Sequence, residues 1–215
     1  MVASQNGVVA WKRRGPDDDP VLAVLGGDDT RPERVADRRH LRHLRCYGDV
    51  AIGAQTLREQ PRLVPTPQEP GEPPTPGLYA FRQSRGLSRE PRVVVYSRHG
   101  RLPPDLAVFT TPGLDVVVVD AESAGLRRAH ERLLAEHDVR CLACEGGATT
   151  LRALHAAALL DEVFVTVTDT VIDASKHEGV LEIFDFEREV AALVAEGATS
   201  PASGWRFRRW RFNEP

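Results

Sequence analysis

Hydrophobic positions along the 215-residue chain change period several times, and each change marks an element. The stretch "TRPERVADRRHLRHLR" spaces Val35, Leu41 and Leu44 as the inward face of a helix. Thr30 and Glu33 stand at the capping-box separation, and the helix ends near Gly48. "DVAIGAQTLR" reads as a short buried strand running into a glycine turn at Gly53. "RVVVYS" and "DVVVVD" are continuous apolar runs, as in strands covered on both faces, and "AGLRRAHERLLAEH" puts Leu126, Ala129 and Leu133 on one side of a helix. A strand at 139–144 follows, then the pair Gly146-Gly147, then a helix with Leu151, Leu154 and Ala158 at helical spacing. The next strand, 162–168, alternates Val163, Val165 and Val167 with Phe164, Thr166 and Thr168. The order strand, helix, strand, helix, strand predicts an α/β protein with a central, mostly parallel sheet flanked by helices.

The tail "GWRFRRWRF" alternates aromatic and arginine residues until Arg208-Arg209 shifts the period by one. This predicts an antiparallel C-terminal strand with a bulge, its Trp205, Phe207, Trp210 and Phe212 packed and its arginines solvated. The competing reading is nucleic-acid binding by arginines interleaved with stacking aromatics. Earlier in the chain, "EQPRLVPTPQEPGEPPTPG" is too rich in proline and glycine for a regular element and opens a Pro-rich loop at about 59–91.

With 41% hydrophobic residues and no internal repeat, a single domain over 1–215 is expected. Three cysteines, an odd number, with no signal peptide point to the reducing cytoplasm, and no apolar run approaches the roughly 20 residues that cross a bilayer. The formal charge of −3 gives no global attraction to nucleic acid, so only the basic helix at 31–45 and the tail speak for it.

The paired glycine carries the first hint of chemistry. Gly-Gly at the carboxyl end of a strand, opening directly into a helix, admits a ligand close to the main chain and leaves the first helical N–H groups free for phosphate. A tight turn with no ligand would look the same.

The wider sequence narrows this. The run Glu145-Gly146-Gly147-Ala148-Thr149, followed by Leu160-Asp161-Glu162-Val163, resembles the reductase domain of riboflavin biosynthesis, the RibD C-terminal domain, whose family has the dihydrofolate reductase-like fold. "SQNG" at 4–7 is similar to the family's S-x-D-G, and "HLRCYGDVAIGAQTLR" and "RVVVYSRHGRLPPDLAVF" resemble two further family segments in the right order. The resemblance spans most of residues 2–168. It implies an NADPH-dependent reductase of a small heterocyclic or ribosylamino-pyrimidine substrate, commonly a homodimer. It also implies that Gly146, Gly147, Ala148 and Thr149 hold the cofactor phosphates, that Ser4, Thr56 and Ser97 contact the cofactor, and that Arg45, Arg58 and Glu145 face the substrate. Arg98, next to Ser97, is placed to pair with a 2′-phosphate. In such a site the cofactor supplies the hydride, the protein aligns it, and no metal is needed.

Departures from the family pattern bear on catalysis. Asn6 takes the catalytic position where the family has an acid, and an amide has no titratable proton. "EQPRL" replaces a rim segment that carries an acid and an asparagine, and the chain after Asp169 does not resemble the usual closing hairpin. Two alternatives therefore stand beside the reductase: a nucleotide-binding family member without the riboflavin-pathway activity, and a nucleic-acid-associated protein. Cys141 and Cys144 lie three apart in a strand, where side chains point to opposite faces, which argues against a redox or zinc pair. His40 and His43 read as a solvated helix face, His155 as a helix-surface residue and Asp17-Asp18-Asp19 as a solvated loop.

Overall fold

A computed structural model describes residues 1–15, 18–27, 30–68, 75–120, 125–183 and 191–212. Strands β1 (Val2–Ala3) and β2 (Val8–Ala10) come first, then helices α1 (Pro20–Val24) and α2 (Pro32–Leu44). β3 (Asp49–Gly53), α3 (Ala54–Glu59), α4 (Leu78–Ser84), β4 (Val93–Ser97), α5 (Ala107–Thr110) and β5 (Val116–Asp120) follow. α6 (Leu126–His137), β6 (Leu142–Cys144) and α7 (Ala148–Ala156) lead to β7 (Glu162–Val167), β8 (Leu181–Glu182), β9 (Ala191–Gly197) and β10 (Arg206–Phe212). The chain divides into two compact units, one of residues 39–159 and one of residues 1–38 with 160–215, the first boundary falling inside α2.

The unit of residues 39–159 is built on a parallel sheet in the order β5-β4-β3-β6. β4 is buried along its whole length and β3 from Val50 to Gly53, as continuous apolar runs require when helices cover both faces. Ile52, Leu57, Val93, Val95, Leu106 and Val108 form one core. Of the strand expected at 139–144 only Leu142–Cys144 pairs; Cys141 contributes its carbonyl to the Asp49 amide at 2.9 Å. The expected helix after the glycine pair ends at Ala156, and Ala158 has a positive φ of 50°, outside the helix.

The Pro-rich span contains a helix that apolar periodicity does not announce. In α4, Leu78 and Arg82 are buried one turn apart behind Gly77, whose φ of 90° turns the chain into the helix. Arg82 is the anchor. Its Nη1 donates to the carbonyls of Arg45 at 3.0 Å and Gly48 at 2.5 Å, and its Nε donates to Ser88 O at 2.6 Å. Burial lowers the Arg82 pKa, and Asp49, 3.9 Å away, opposes that shift. Residues 69–74 of the span lie outside the described residues.

The other unit carries a sheet in the order β1-β7-β10-β9 and a two-stranded pair of β2 and β8. The strand expected at 162–168 forms, yet it pairs with β1 and β10 rather than joining the parallel sheet. Val163, Val165 and Thr166 are buried and Phe164 and Val167 half-buried, so burial departs from the alternation of the sequence at Thr166. Val8, Trp11, Val24 and Ile172 form a second core. Asp18 stands in a loop, where its carboxylate accepts from Trp11 Nε1 and Arg14 N, both at 2.9 Å. Asp19 caps α1 through Val21 N and Leu22 N; Asp17 lies outside the described residues. α2 begins at Pro32, so its cap falls at position 31 and the Thr30–Glu33 box is out of register. Glu33 instead accepts from the Thr199 hydroxyl at 3.3 Å, and Val35 is 45% exposed rather than inward.

The tail is an antiparallel strand, β10, regular against β7. Its irregularity lies on the other side: Arg209 pairs with Ala195 and Trp210 with Leu193, so the extra residue, Val194, belongs to β9. Trp205 and Trp210 are buried, and the arginines are ion-paired. Arg209 and Arg211 converge on Glu162 at 2.6 and 2.8 Å, and Arg208 meets Glu196 at 2.6 Å. The hydrogen bonds from Arg209 hold the Glu162 carboxyl below its ordinary 4.5, so this carboxylate contributes stability above that pH and loses it as pH falls through the lowered value. Glu162→Gln is therefore expected to destabilise the protein at pH 7. In urea melts the difference from wild type shrinks steadily below pH 4.5; a difference independent of pH would contradict this.

Candidate functional site

Parallel registers bring three strand ends to one edge. Gly53 pairs with Tyr96 and Ala51 with Cys144, so the carboxyl ends of β3, β4 and β6 carry Gly53, Ser97 and the turn Glu145-Gly146-Gly147 side by side. In open α/β sheets this edge is where ligands bind. The two glycines of the turn serve different ends. A Cβ on Gly146 would lie 2.5 Å from Thr150 Cβ, and one on Gly53 would lie 2.7 Å from Thr150 Oγ1, so both must be glycine for α7 to seat against the strand ends. A Cβ on Gly147 would meet nothing within 4 Å, and the backbone there (φ −66°, ψ 179°) suits any residue.

Gly147 is the N-cap of α7 and no side chain caps the helix. The first bond of the helix runs from Leu151 N to Gly147 O at 3.1 Å. The amides of Ala148, Thr149 and Thr150 precede it, at the positive end of the helix dipole. Ser97, at the end of β4, is 3% exposed and its Oγ has no hydrogen-bond partner. A buried hydroxyl left unsatisfied costs about 1–3 kcal/mol, which a polar ligand atom would relieve. Arg98, the next residue, is exposed, and Thr56 is half-buried as the third residue of α3. Arg58 is exposed at the end of α3 and donates from Nη2 to Arg101 O at 2.9 Å, which ties it to the segment after β4.

Arg45 and Glu145, expected to face a substrate, form a buried pair with each other. Arg45 donates from Nε to Glu145 Oε1 at 2.5 Å and from Nη2 to Oε2 at 2.8 Å, while Nη1 reaches Thr66 O at 2.8 Å. The Arg45 side chain is 1% exposed. The bidentate clasp fixes the residue immediately before Gly146 and so the direction in which the turn leaves β6.

Ser4 and Asn6 lie in the other unit and brace a turn. Ser4 Oγ accepts from Val8 N at 2.8 Å and donates to Asn6 Oδ1 at 2.9 Å, and Gly7 closes the turn with φ 84°. Asn6 holds both backbone groups of one residue: Nδ2 donates to Ile172 O at 2.8 Å and Oδ1 accepts from Ile172 N at 3.1 Å. An aspartate has no donor for that carbonyl at neutral pH, which gives a physical reason for asparagine here.

Sequence reading did not find the Tyr96–His130 bond, 2.8 Å between the phenol and Nδ1, because no motif links residues on β4 and α6. Burial raises the Tyr96 pKa and pushes the Cys144 thiol up to about 11, so neither is ionised at neutral pH. The three cysteines form no disulfide, and no group of three or more His, Cys, Asp and Glu that could hold a metal ion occurs among the described residues.

The RibD C-terminal domain model matches residues 19–182, and the chain belongs to that family of reductases. No curated protein matches by sequence. Among solved structures, RibD of Acinetobacter baumannii (form 2) is similar over 98% of this chain and 56% of its own, with 16% identity and a TM-score of 0.65. This chain thus spans little more than half of that protein. A pyrimidine reductase-like protein from Corynebacterium diphtheriae matches over 100% of this chain and 90% of its own, with 18% identity and a TM-score of 0.60. Dihydrofolate reductase from Enterococcus faecalis, complexed with NADP(H) and RAB-propyl, matches over 99% and 94%, with 13% identity and a TM-score of 0.50. The fold is dihydrofolate reductase-like. No helix among the described residues is long and apolar enough to cross a membrane.

Two substitutions probe these contacts. Gly146→Ala is expected to cost about 1–3 kcal/mol by driving Thr150 off the strand ends, whereas Gly147→Ala costs under about 1 kcal/mol, the N-cap preference for glycine over alanine. Equal losses in denaturant melts would show that the two glycines are not distinguished as described. Asn6→Asp, which removes the donor to Ile172 O, is expected to cost about 1 kcal/mol in the same assay.

Proposed function

We propose that this protein is an NADPH-dependent reductase acting on a small heterocyclic or ribosylamino-pyrimidine substrate, in the cytoplasm and as a homodimer. The observation that carries the cofactor assignment is the start of α7: three helix amides, no capping side chain, and open space above Gly147 at the carboxyl edge of a parallel sheet. Such a surface binds a pyrophosphate through backbone N–H groups. The partnerless Ser97 hydroxyl at the same edge fits a polar cofactor atom, and the exposed Arg98 beside it fits a 2′-phosphate. Thr56, close behind Gly53, lines the same edge.

When bound, the nicotinamide supplies a hydride for an electrophilic carbon. The chain's own work is to orient and to exclude water. The Arg45–Glu145 clasp holds the turn before Gly146, and Thr150 seats α7 against Gly53 and Gly146, so the amides face a fixed direction before any ligand arrives. Asn6 has no titratable proton and its amide is committed to Ile172, so the proton that accompanies reduction comes from water rather than from residue 6.

That commitment also favours a second reading, a family member that binds the dinucleotide without turning over the riboflavin-pathway substrate. The nucleic-acid reading loses support in the tail, where Arg208, Arg209 and Arg211 are ion-paired to carboxylates of their own sheet.

Thermal melts with NADPH and NADH test the proposal. At 100 times its dissociation constant the cofactor adds about 2.7 kcal/mol of stability. Gly147→Asp is the sharpest variant, because aspartate is a good N-cap and leaves α7 stable while its charge opposes a pyrophosphate. It is expected to melt no lower than wild type and to lose the NADPH shift. Arg98→Ala should level NADPH with NADH. A wild type indifferent to both dinucleotides would overturn the assignment, and absorbance-monitored NADPH oxidation with candidate pyrimidines separates the reductase from the binding-only reading.

A further inference from the structure

Arginines in this structure are commonly ion-paired. Arg31 meets Asp169, Arg45 meets Glu145, Arg92 meets Asp115 and Arg209 meets Glu162, at 2.5 to 2.9 Å. Four arginines around the carboxyl edge of the parallel sheet depart from this. Arg98 and Arg101 lie on the segment that leaves β4, and Arg58 and Arg62 lie on the end of α3 and the turn after it. All four are exposed, and among the described residues none has a carboxylate within ion-pair distance. The two segments are tied together, because Arg58 Nη2 donates to Arg101 O and Ala107 N donates to Pro61 O, both at 2.9 Å. Glu59 and Asp105 are the acids on these segments, and Glu59 accepts from Gln55 Nε2 at 2.9 Å. Positive charge is therefore in excess here, on a chain whose formal charge is −3.

We propose that Arg58, Arg62, Arg98 and Arg101 draw the phosphorylated dinucleotide to this edge and select NADPH over NADH in the rate of association. The inference rests on the cofactor reading above, names residues that set its specificity, and places Arg58 on the cofactor's approach. Guanidinium groups that no carboxylate neutralises project a positive potential into solvent and raise the encounter rate of anions. The buried Ser97 hydroxyl, which has no partner and directly precedes Arg98, marks where a polar ligand atom ends that approach. A phosphate monoester such as the 2′-phosphate adds about 1.5 to 2 negative charges, so the attraction is stronger for NADPH. Asp120, in register with Ser97 at the end of β5, opposes it. Exposed charges act over about 30 Å at 0.01 M salt and about 8 Å at 0.15 M, so the selection is strongest in dilute salt.

Stopped-flow binding of NADPH and NADH to the full chain, at about 0.02 and about 0.3 M NaCl, reads association and dissociation separately. Association of NADPH is expected to be roughly tenfold faster at the lower salt, to exceed that of NADH there, and to approach it at the higher. Arg58→Gln and Arg101→Gln should each slow NADPH association about threefold in low salt and leave dissociation within about twofold, the pattern of a charge that steers rather than one that holds. Asp120→Asn should speed association. Arg85→Gln removes an equal charge at the amino end of the sheet, where Arg85 lies 5.1 Å over the Tyr47 ring, and should leave association at the wild-type rate. The substituted side chains are exposed, so melting temperatures stay near wild type. Association independent of salt, or an Arg101→Gln loss that resides in dissociation, would overturn the inference. Failure of both dinucleotides to bind would sink the cofactor reading and this inference together, whereas binding at a salt-independent rate sinks the inference alone.

Discussion

One side chain sets the geometry at the carboxyl edge of the parallel sheet. Thr150, in the first turn of α7, rests against the backbone of Gly53 and Gly146 at distances where no Cβ fits. Two strand ends and a helix start are thereby brought together, with the first-turn amides of α7, which no side chain caps, beside them. The energetic scale is that of close packing: a methyl group forced into such a contact costs about 1–3 kcal/mol. Gly147 carries no such constraint, since a Cβ there would meet nothing within 4 Å.

Behind that edge lies a polar interior. Arg82 binds the carbonyls of Arg45 and Gly48, and Arg45 binds Glu145 and Thr66 O, so α4, the start of β3, the proline-bearing segment and the turn after β6 are linked by guanidinium groups. Buried charges are tolerated only when each is paired and hydrogen-bonded, and removing one partner of such a pair commonly costs about 3–5 kcal/mol. The network is what turns part of a proline-rich stretch into defined structure without an apolar stripe.

The two sheets handle their edges differently. The parallel sheet buries its central strands, whereas β9 ends the other sheet and pairs with no described strand on its outer side.

Periodicity and composition alone determined the valine-rich strands, the amphipathic helix at 126–137, the glycine turn before a helix and the antiparallel tail, because each depends on neighbours a few residues away. The resemblance in Glu145-Gly146-Gly147 and its companion segments reached the family by the same local route. Only the tertiary structure decided that 162–167 joins β1 and β10 in the mixed sheet, that Arg45 and Glu145 bind each other across a separation of 100 residues, and that Asn6 clasps Ile172. Partners distant in sequence leave no period in it: a buried arginine reads as a surface cation, and a strand does not say which neighbour it will meet.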